Sequence, residues 1–182
     1  MKKRTTDELN RLSAEAYRAT DKLPLVVVLD NVRSQHNVGA VFRTADAMGI
    51  QGVALCGICC CPPNQEIHKT ALGAEQTVEW HYYKDTQEAV KTLQADGFQV
   101  FAVEQVHGAL TLEQAAEQIV NRKLSNSKWA VVLGHEVFGV QQEVVDLCDG
   151  CIEISQYGTK HSMNVSVTAG IVIYRLCEAL RQ

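Results

Sequence analysis

Two continuous apolar runs, at residues 25–29 and 129–133, dominate the hydrophobic pattern of the chain. Both contain several valines and no polar position, which is typical of strands that are buried on both faces of a parallel sheet. Mostly apolar segments at residues 52–56, 99–103 and 151–154 predict further strands. Because helical spacing of apolar residues separates these runs, the pattern predicts strands that alternate with helices.

Residues typical of helix starts and ends predict where the helices lie in the sequence. A helix is predicted over residues 37–48, where Gly49 ends it. Capping spacing predicts a second helix over residues 85–97 and a third that begins at Thr111. A long apolar helix is predicted over residues 163–180. The fold class is therefore α/β, with a mostly parallel open sheet and helices on both faces.

The start of the chain has a different pattern. Thr5 and Glu8 have the spacing of a capping box, and apolar residues recur at helical intervals in the charged segment that follows, which predicts one charged helix over residues 5–21. We interpret residues 1–22 as an N-terminal helical extension and residues 23–182 as a single domain. Neither a repeat nor a linker divides this domain.

Composition narrows the class of protein. The 182 residues are 46% hydrophobic and 21% charged, which excludes disordered and collagen-like chains. The apolar runs are too short to cross a bilayer, and the first residues are polar, unlike an apolar signal core. We therefore predict a cytoplasmic protein without a membrane partner.

Charge and cysteine content refine this prediction. Lys and Arg number 17 against 21 Asp and Glu, so nucleic-acid binding would have to depend on local basic patches. Seven cysteines indicate reduced thiols rather than a disulfide framework. The spacings Cys56-x-x-Cys59 and Cys148-x-x-Cys151 resemble a zinc site. Because Cys56 ends a predicted buried strand and Cys151 begins another, we interpret them as core residues and predict no metal.

The loop after the first strand contains groups that suit a phosphate. Ligands of open parallel sheets bind beyond the carboxyl ends of the strands. Here the loop leads into a helix whose first N–H groups are free, and Arg33 and Arg43 lie near that helix start. The alternative is that Asn37 is an ordinary N-cap and Arg43 a solvated helix residue.

Two further strand ends carry polar side chains. After residue 133, Gly134 permits close backbone approach and Glu136 supplies a carboxylate, although an ordinary strand-to-helix turn would look the same. Residues 155–164 are rich in Ser, Asn, Lys and His. Ser162 and Asn164 alternatively cap the helix that follows, but the loop holds more hydrogen-bonding groups than capping needs.

Together the three loops resemble, in order and spacing, the three motifs of the SpoU (TrmH) family of SPOUT-class RNA methyltransferases. The resemblance spans residues 23–180. The first motif corresponds to residues 37–43 (N-x-G-x-x-x-R), the second to 133–139 (L-G-x-E-x-x-G) and the third to 154–167. Residues 69–74 (K-T-A-L-G-A) resemble a further family segment.

The resemblance implies transfer of a methyl group from S-adenosylmethionine to a ribose 2′-hydroxyl of tRNA or rRNA. It also implies a C-terminal trefoil knot and a homodimer. The cofactor-binding residues that it indicates are Leu133, Gly134, Ile154 and Met163. The catalytic residues that it indicates are Arg43, Asn37, Glu136, Ser162 and Asn164. Basic residues beside the motifs are the RNA-binding candidates: Arg33, Lys69 and Lys160.

The resemblance implies that Arg43 activates the ribose oxygen. A guanidinium has a pKa above about 12, so we favour stabilisation of the developing alkoxide over proton removal. The alternative base is a histidine, because His36, His135 and His161 each adjoin a motif. Glu136 is expected to hold either Arg43 or Asn37 in place.

The terminal helix supports the implied dimer. Its apolar residues lie on most sides, which predicts burial partly in the core and partly against a second subunit. Residues that extend the apolar surface are Val167, Ile171 and Tyr174.

Two functions from other classes remain open at this point. One is a catalytically silent module of the same fold that binds RNA or a nucleotide. The other is a flavodoxin-like binder of small molecules, which would have no need of Arg43.

Overall fold

The computed structural model of this chain describes residues 1–5, 7–121 and 128–182. The strands of this part of the chain are β1 (Leu23–Asp30), β2 (Ile50–Cys56), β3 (Glu79–Tyr83), β4 (Phe98–Val103), β5 (Leu110–Thr111), β6 (Lys128–Leu133) and β7 (Gly150–Glu153). The helices are α1 (Ala14–Arg18), α2 (Gln35–Met48), α3 (Gln65–Ala71), α4 (Thr86–Ala95), α5 (Leu112–Asn121), α6 (Gln142–Val145) and α7 (Val165–Leu180).

The strands form one sheet in the order β3-β2-β1-β6-β4-β7-β5, and each described pairing is parallel. The two strands predicted from continuous apolar runs, β1 and β6, lie side by side near the centre, with Val27 opposite Val131. This arrangement confirms the predicted α/β class with a parallel sheet. It also brings the carboxyl ends of β1, β6, β4 and β7 to the same edge.

Both faces of the sheet are covered, as the apolar runs predict. Leu25, Val27 and Leu29 pack into a cluster with side chains of α2, α3, α5 and α7. The intervening Val26 and Val28 belong to a second cluster with side chains of α4 and α6. Because successive strand residues point to opposite faces, a strand between two helical layers needs an apolar side chain at every position.

Helix α2 begins at Gln35, two residues before the predicted start. The Ser34 hydroxyl accepts a hydrogen bond from the Asn37 N–H at 3.3 Å, so Ser34 is the N-cap. Gly49, in the left-handed conformation with φ of 66°, ends the helix as predicted. Within α2, Gly39 permits close contact with α3, because a Cβ there would lie 2.3 Å from the Ile67 carbonyl oxygen.

The predicted single helix over residues 5–21 is wrong. The capping box forms, with the Thr5 N–H donating to Glu8 Oε2 at 2.6 Å, but only one 3-10 turn, Asp7–Leu9, follows it. Asn10 has φ of 47°, which interrupts the helix, and Ser13 caps the separate helix α1. The division of the chain at residue 22 stays a prediction. Tyr17 of α1 donates a hydrogen bond to the Asp46 carbonyl oxygen at 2.9 Å.

Sequence patterns also missed α3 and β3. Helix α3 has only seven residues, and its N-cap Asn64 accepts from the Glu66 and Ile67 N–H groups. Strand β3 lies at the sheet edge, where exposed and half-buried positions leave no apolar run to detect. Of the helices described, none combines the length and the hydrophobicity that a membrane crossing needs. The trefoil knot stays a prediction.

Candidate active site

A cavity of about 520 Å³ opens at the carboxyl edge of the sheet. Its walls come from the ends of β4, β6 and β7 and from the segment that precedes α7. The volume lies in the range of small-molecule sites. The four residues predicted to bind the cofactor all line it: Leu133, Gly134, Ile154 and Met163.

Glu136 joins the loop after β6 to the start of α2. One carboxylate oxygen accepts from the Arg33 N–H at 3.0 Å, and the other accepts from the Ser34 N–H at 2.9 Å and from Asn37 Nδ2 at 3.0 Å. Burial alone would raise the pKa of Glu136, but these hydrogen bonds outweigh it and lower the pKa below its ordinary value of 4.5. Of the two partners predicted for Glu136, the structure places Asn37 in contact.

Asn37 also reaches the third motif. Asn164 Nδ2 donates to Asn37 Oδ1 at 3.2 Å, while Asn164 Oδ1 accepts from the Ser166 N–H and caps α7. The side chain of Asn164 therefore caps a helix and contacts the site at once. The interpretation of Asn37 as an ordinary N-cap is wrong, because Ser34 has that role and Asn37 is a buried residue of α2.

Glu104, which the sequence analysis missed, holds the far side of the turn over residues 134–140. Its Oε2 accepts from the Val140 N–H at 3.0 Å. A Cβ on Gly139 would lie 2.2 Å from the same oxygen, which is too close. Gly139 also has φ of 70°, so both the space and the backbone conformation require glycine there. The available signal was the position of Glu104 directly after the apolar run of β4.

Asp30, the last residue of β1, is completely buried beside the site. Its Oδ2 accepts from the Gln141 N–H at 3.0 Å, and its Oδ1 accepts from Asn31 Nδ2 at 2.8 Å and from the Thr86 hydroxyl at 2.6 Å. A buried carboxylate is tolerated only with such partners. Asp30 therefore ties the segment after the turn to β1 and to the start of α4.

The turn over residues 134–140 is also closed on itself. His135 and Gly139 exchange two backbone hydrogen bonds of 3.0 and 2.9 Å. His135 Nδ1 accepts from the Val137 N–H at 3.0 Å, and the imidazole packs on the Phe138 ring with centroids 4.9 Å apart. A Cβ on Gly134 would lie 2.0 Å from the Gly139 carbonyl carbon, so glycine permits this closure.

The loop over residues 155–162 has a different character. All eight residues are exposed, and Ser162 lines the cavity. Gln105 Nε2 donates to the His161 carbonyl oxygen at 2.8 Å, which attaches the loop to the end of β4. Lys160, an RNA-binding candidate, is exposed on this loop.

Arg43 does not line this cavity. It lies on a separate exposed groove between α2, α3 and α7, which Lys69, Gly170 and Tyr174 also line. Lys69 Nζ forms an ion pair with Glu66 Oε1 at a distance of 2.6 Å. Thus the structure brings Asn37, Glu136, Ser162 and Asn164 to one edge of the sheet and leaves Arg43 on another surface of the same chain.

The charges around the cavity select against anionic ligands. Glu104, Glu136 and Glu153 line it, whereas no lysine or arginine does so among the described residues. A cationic ligand is stabilised in such a cavity, and a phosphate is repelled. This distribution argues against a nucleotide as the ligand of the cavity itself.

The three histidines beside the motifs have separate environments. His36 Nε2 lies 3.1 Å from Glu66 on the α3 side of α2. His135 belongs to the turn described above, and His161 lies in the exposed loop at the cavity. None of these contacts joins a histidine to Asn37 or Asn164.

The cysteines with zinc-like spacing lie in the packed interior or at its margin. Cys56 belongs to the cluster on one face of the sheet and Cys59 to the cluster on the other. Burial raises the pKa of Cys56 to about 12 and that of Cys59 to about 11. Within the described ranges, no three His, Cys, Asp or Glu side chains come together as a metal site.

Comparison with known proteins places these features in a family. Residues 24–174 match the model of the SpoU rRNA Methylase family. The chain is 32% identical to a tRNA (guanosine(18)-2′-O)-methyltransferase of Thermus thermophilus, and the match covers 100% of this chain and 86% of that protein. It is 31% identical to the 23S rRNA (guanosine-2′-O-)-methyltransferase RlmB of Vibrio parahaemolyticus over 96% of this chain. The chain spans only 66% of that relative's length.

Solved structures agree on the fold. A TrmH/SpoU tRNA modifying enzyme of A. aeolicus superposes with a TM-score of 0.76 at 23% identity, covering 92% of this chain and 82% of the other. An AdoMet-bound rRNA methyltransferase of Sinorhizobium meliloti has a TM-score of 0.74 at 23% identity, covering 89% and 59%. The match over residues 24–174 includes each predicted motif, and this chain belongs to the SpoU rRNA methylase family.

Proposed function

We propose that this chain transfers a methyl group from S-adenosylmethionine to a ribose 2′-hydroxyl of tRNA or rRNA. The observation that carries the proposal is the contact of Asn37 with both Glu136 and Asn164 beside an acid-lined cavity. The named relatives are guanosine-2′-O-methyltransferases of tRNA and rRNA, which supports this reaction over a silent binding module.

The cavity fits the proposed cofactor in size and charge. When bound, S-adenosylmethionine supplies a methyl group on a positively charged sulfur. Glu104, Glu136 and Glu153 supply the complementary negative charge, and the cavity volume suits a ligand of that size. The residues that would hold it are Leu133, Gly134, Ile154 and Met163.

The polar residues would orient the acceptor ribose. The hydrogen bond from Asn164 to Asn37, together with the one from Asn37 to Glu136, fixes the orientation of both amide groups beside the cavity. Ser162 adds a hydroxyl at the cavity. Holding the 2′-oxygen in line with the methyl group is the largest contribution that such residues make to the rate.

Arg43 would complete the site from a second copy of the chain. Its groove adjoins the apolar face of α7, where Val167, Ile171 and Tyr174 are exposed. Pairing of two copies through this face would bury these side chains and carry Arg43 of one subunit toward the cavity of its partner. The guanidinium would then stabilise the developing alkoxide.

RNA would contact the basic side chains around this surface. Arg33, Lys69 and Lys160 are all exposed, as phosphate contacts require. An RNA substrate is consistent with the predicted cytoplasmic location, which stays a prediction.

The reaction is tested with purified protein, labelled S-adenosylmethionine and total RNA that lacks modifications. We expect label in a 2′-O-methylnucleoside after digestion, and no label with Arg43→Ala. Label in a base would contradict ribose methylation. Cofactor binding without label on any RNA would favour the silent binding module, and absence of cofactor binding would contradict methyl transfer from S-adenosylmethionine.

The contribution of Arg43 to the partner's cavity is tested by mixing variants. A dimer of one Arg43→Ala chain and one Glu136→Ala chain has one intact cavity and one intact arginine on opposite subunits. We expect mixing to restore activity that each variant lacks alone. If an affinity tag on one variant co-purifies the other, which shows mixed dimers, and these dimers have no activity, the arginine acts within its own chain.

A further inference from the structure

The tip of the 134–140 turn, formed by Val137 and Phe138, is apolar and exposed, and its described contacts give no structural reason for that exposure. Val137 and Phe138 are 70% and 81% exposed, and both line the mouth of the cavity. The turn beneath them is fixed by Glu136, by Glu104 and by the bridge between His135 and Gly139. The tip is thus an exposed apolar surface on a rigid support.

The imidazole of His135 packs against Phe138 at this surface. A hydrogen bond to the imidazole defines which ring nitrogen carries the hydrogen. The imidazole and the Phe138 ring have centroids 4.9 Å apart and planes inclined by 32°. Because Nδ1 accepts from the Val137 N–H at 3.0 Å, the neutral ring carries its hydrogen on Nε2. Nε2 lies on the ring edge away from that amide, where its N–H is a donor for a ligand.

The tip lies next to the place proposed for the ribose. Glu136, between His135 and Val137 in the chain, turns inward to Asn37 and the start of α2. A ribose oriented by Asn37 would therefore carry its base beside the tip, because the base is attached one carbon away from the 2′-hydroxyl. An unpaired base stacks on exposed aromatic side chains of this kind.

We propose that Phe138, supported by the imidazole of His135, forms a stacking platform for the base of the nucleotide that is methylated. This inference rests on the proposed function, and it assigns base binding to residues outside the catalytic set. Stacking acts on any base, so the platform by itself binds the base without selecting its identity.

The first test is a fluorescence titration that needs no methyl transfer. Trp129 is buried and Trp80 is half-buried, so Phe138→Trp in a Trp80→Phe background places a fluorophore on the platform. The probes are a single-stranded RNA and an abasic strand of the same length. We expect quenching by the RNA and much less by the abasic strand. Equal quenching by both strands, or by neither, would overturn the platform.

The second test compares two RNA substrates in the methylation assay. One contains the nucleotide that wild-type protein methylates, and the other has an abasic ribose at that position. With intact RNA, we expect Phe138→Ala to lower kcat/KM roughly 5- to 150-fold, as loss of one stacked base does. With the abasic RNA, we expect no further loss. Equal fold losses on both RNAs would overturn the proposal.

Controls separate the platform from other roles of the tip. Phe138→Tyr should retain activity, and Val120→Ala, which removes an exposed apolar side chain on α5, should leave it unchanged. Cofactor affinity and dimer mass of Phe138→Ala should match wild type. A matching loss of either would reassign the tip to cofactor binding or to subunit contact and overturn the proposal.

Failure of the two proposals can be told apart. If wild-type protein methylates no RNA, the proposed reaction fails, yet selective quenching of the Phe138→Trp variant by base-containing RNA still supports the platform. If methylation proceeds but quenching does not distinguish the strands, only the platform fails.

Discussion

The two chain segments that flank the cavity are held in opposite ways. The carboxylate of Glu104, directly after β4, and that of Glu136 in the turn itself fix residues 134–140, and Asp30 of β1 fixes the residue that follows. Residues 155–162 are exposed throughout, and the hydrogen bond from Gln105 to the His161 carbonyl is their described link to the sheet. One wall of the cavity is preorganised, whereas within the described part of the chain a neutral hydrogen bond from Gln105 is what links the other wall to the end of β4.

This difference indicates how cofactor binding and ribose positioning are divided between the two segments. Groups that orient a reacting oxygen need to be in place before the reaction, since reorganisation at that stage raises the barrier. A segment with few buried contacts has low local stability and can be ordered by a ligand. We expect the 155–162 loop to admit the cofactor and the 134–140 turn to position the ribose.

Removing the central carboxylate should have the largest effect. Glu136→Ala leaves the Arg33 and Ser34 N–H groups and the Asn37 amide without their acceptor, so the start of α2 shifts relative to the turn. We expect the methylation rate to fall about 100-fold, as misplacement of a reactant by about 1 Å does. Steady-state assays would measure it, with a melting curve as a control for folding. A fall below tenfold would show that the turn is not the orienting wall.

A buried anchor next to the turn should affect stability instead. Asp30→Asn puts an amide N–H₂ where the carboxylate accepts from Gln141, Asn31 and Thr86. We expect the free energy of unfolding to fall by about 2 kcal/mol, because one donor loses its buried acceptor. Urea denaturation would measure it, with Asp146→Asn at an exposed site as the matched control. Equal stability of the two variants would mean that this anchor is dispensable.

Neutralising the carboxylate of Glu104 should weaken cofactor binding. Glu104→Gln keeps an oxygen for the Val140 N–H but removes a negative charge from the cavity. We expect cofactor affinity to fall about tenfold, since a charge-assisted hydrogen bond becomes neutral and the positive ligand loses a partner. Calorimetry would measure the affinity, and Glu143→Gln at an exposed position of α6 is the control. Unchanged affinity would contradict the electrostatic match.

The link to the exposed loop should matter least. Gln105→Ala removes the hydrogen bond to the His161 carbonyl. We expect about a threefold loss of cofactor affinity, the size of one neutral hydrogen bond at an exposed position. The same calorimetric titration would measure it. A loss as large as that of Glu104→Gln would remove the contrast between the two walls.

The sequence was sufficient for the parts of the molecule where local patterns and burial agree. The runs at β1 and β6 predicted central parallel strands, and Gly49 predicted the end of α2. It was not sufficient for α3 or β3, because a seven-residue helix and an exposed edge strand bury too little surface to leave a pattern. The first helix failed because its capping box forms locally without a packed face to continue it.

For the candidate site, the motifs predicted residues but not the contacts between them. Asn37, Glu136 and Asn164 meet only because β1 and β6 are neighbours in the sheet and α7 packs on α2. Asp30 and Glu104 were missed because a carboxylate after a strand is common, and only tertiary structure shows which N–H group it accepts from. The position of Arg43 away from the cavity likewise depends on which side of α2 faces α7.

The hydrogen bond between Asn37 and Asn164 has a consequence for synthesis of the protein. These residues lie 127 positions apart, and Asn164 also begins α7. A growing chain can form β1 and α2 early, but the orienting pair exists only after α7 has emerged and docked. A chain in which α7 has not yet docked therefore has the first wall of the cavity without the contact between Asn37 and Asn164, and docking of α7 completes that contact in one step.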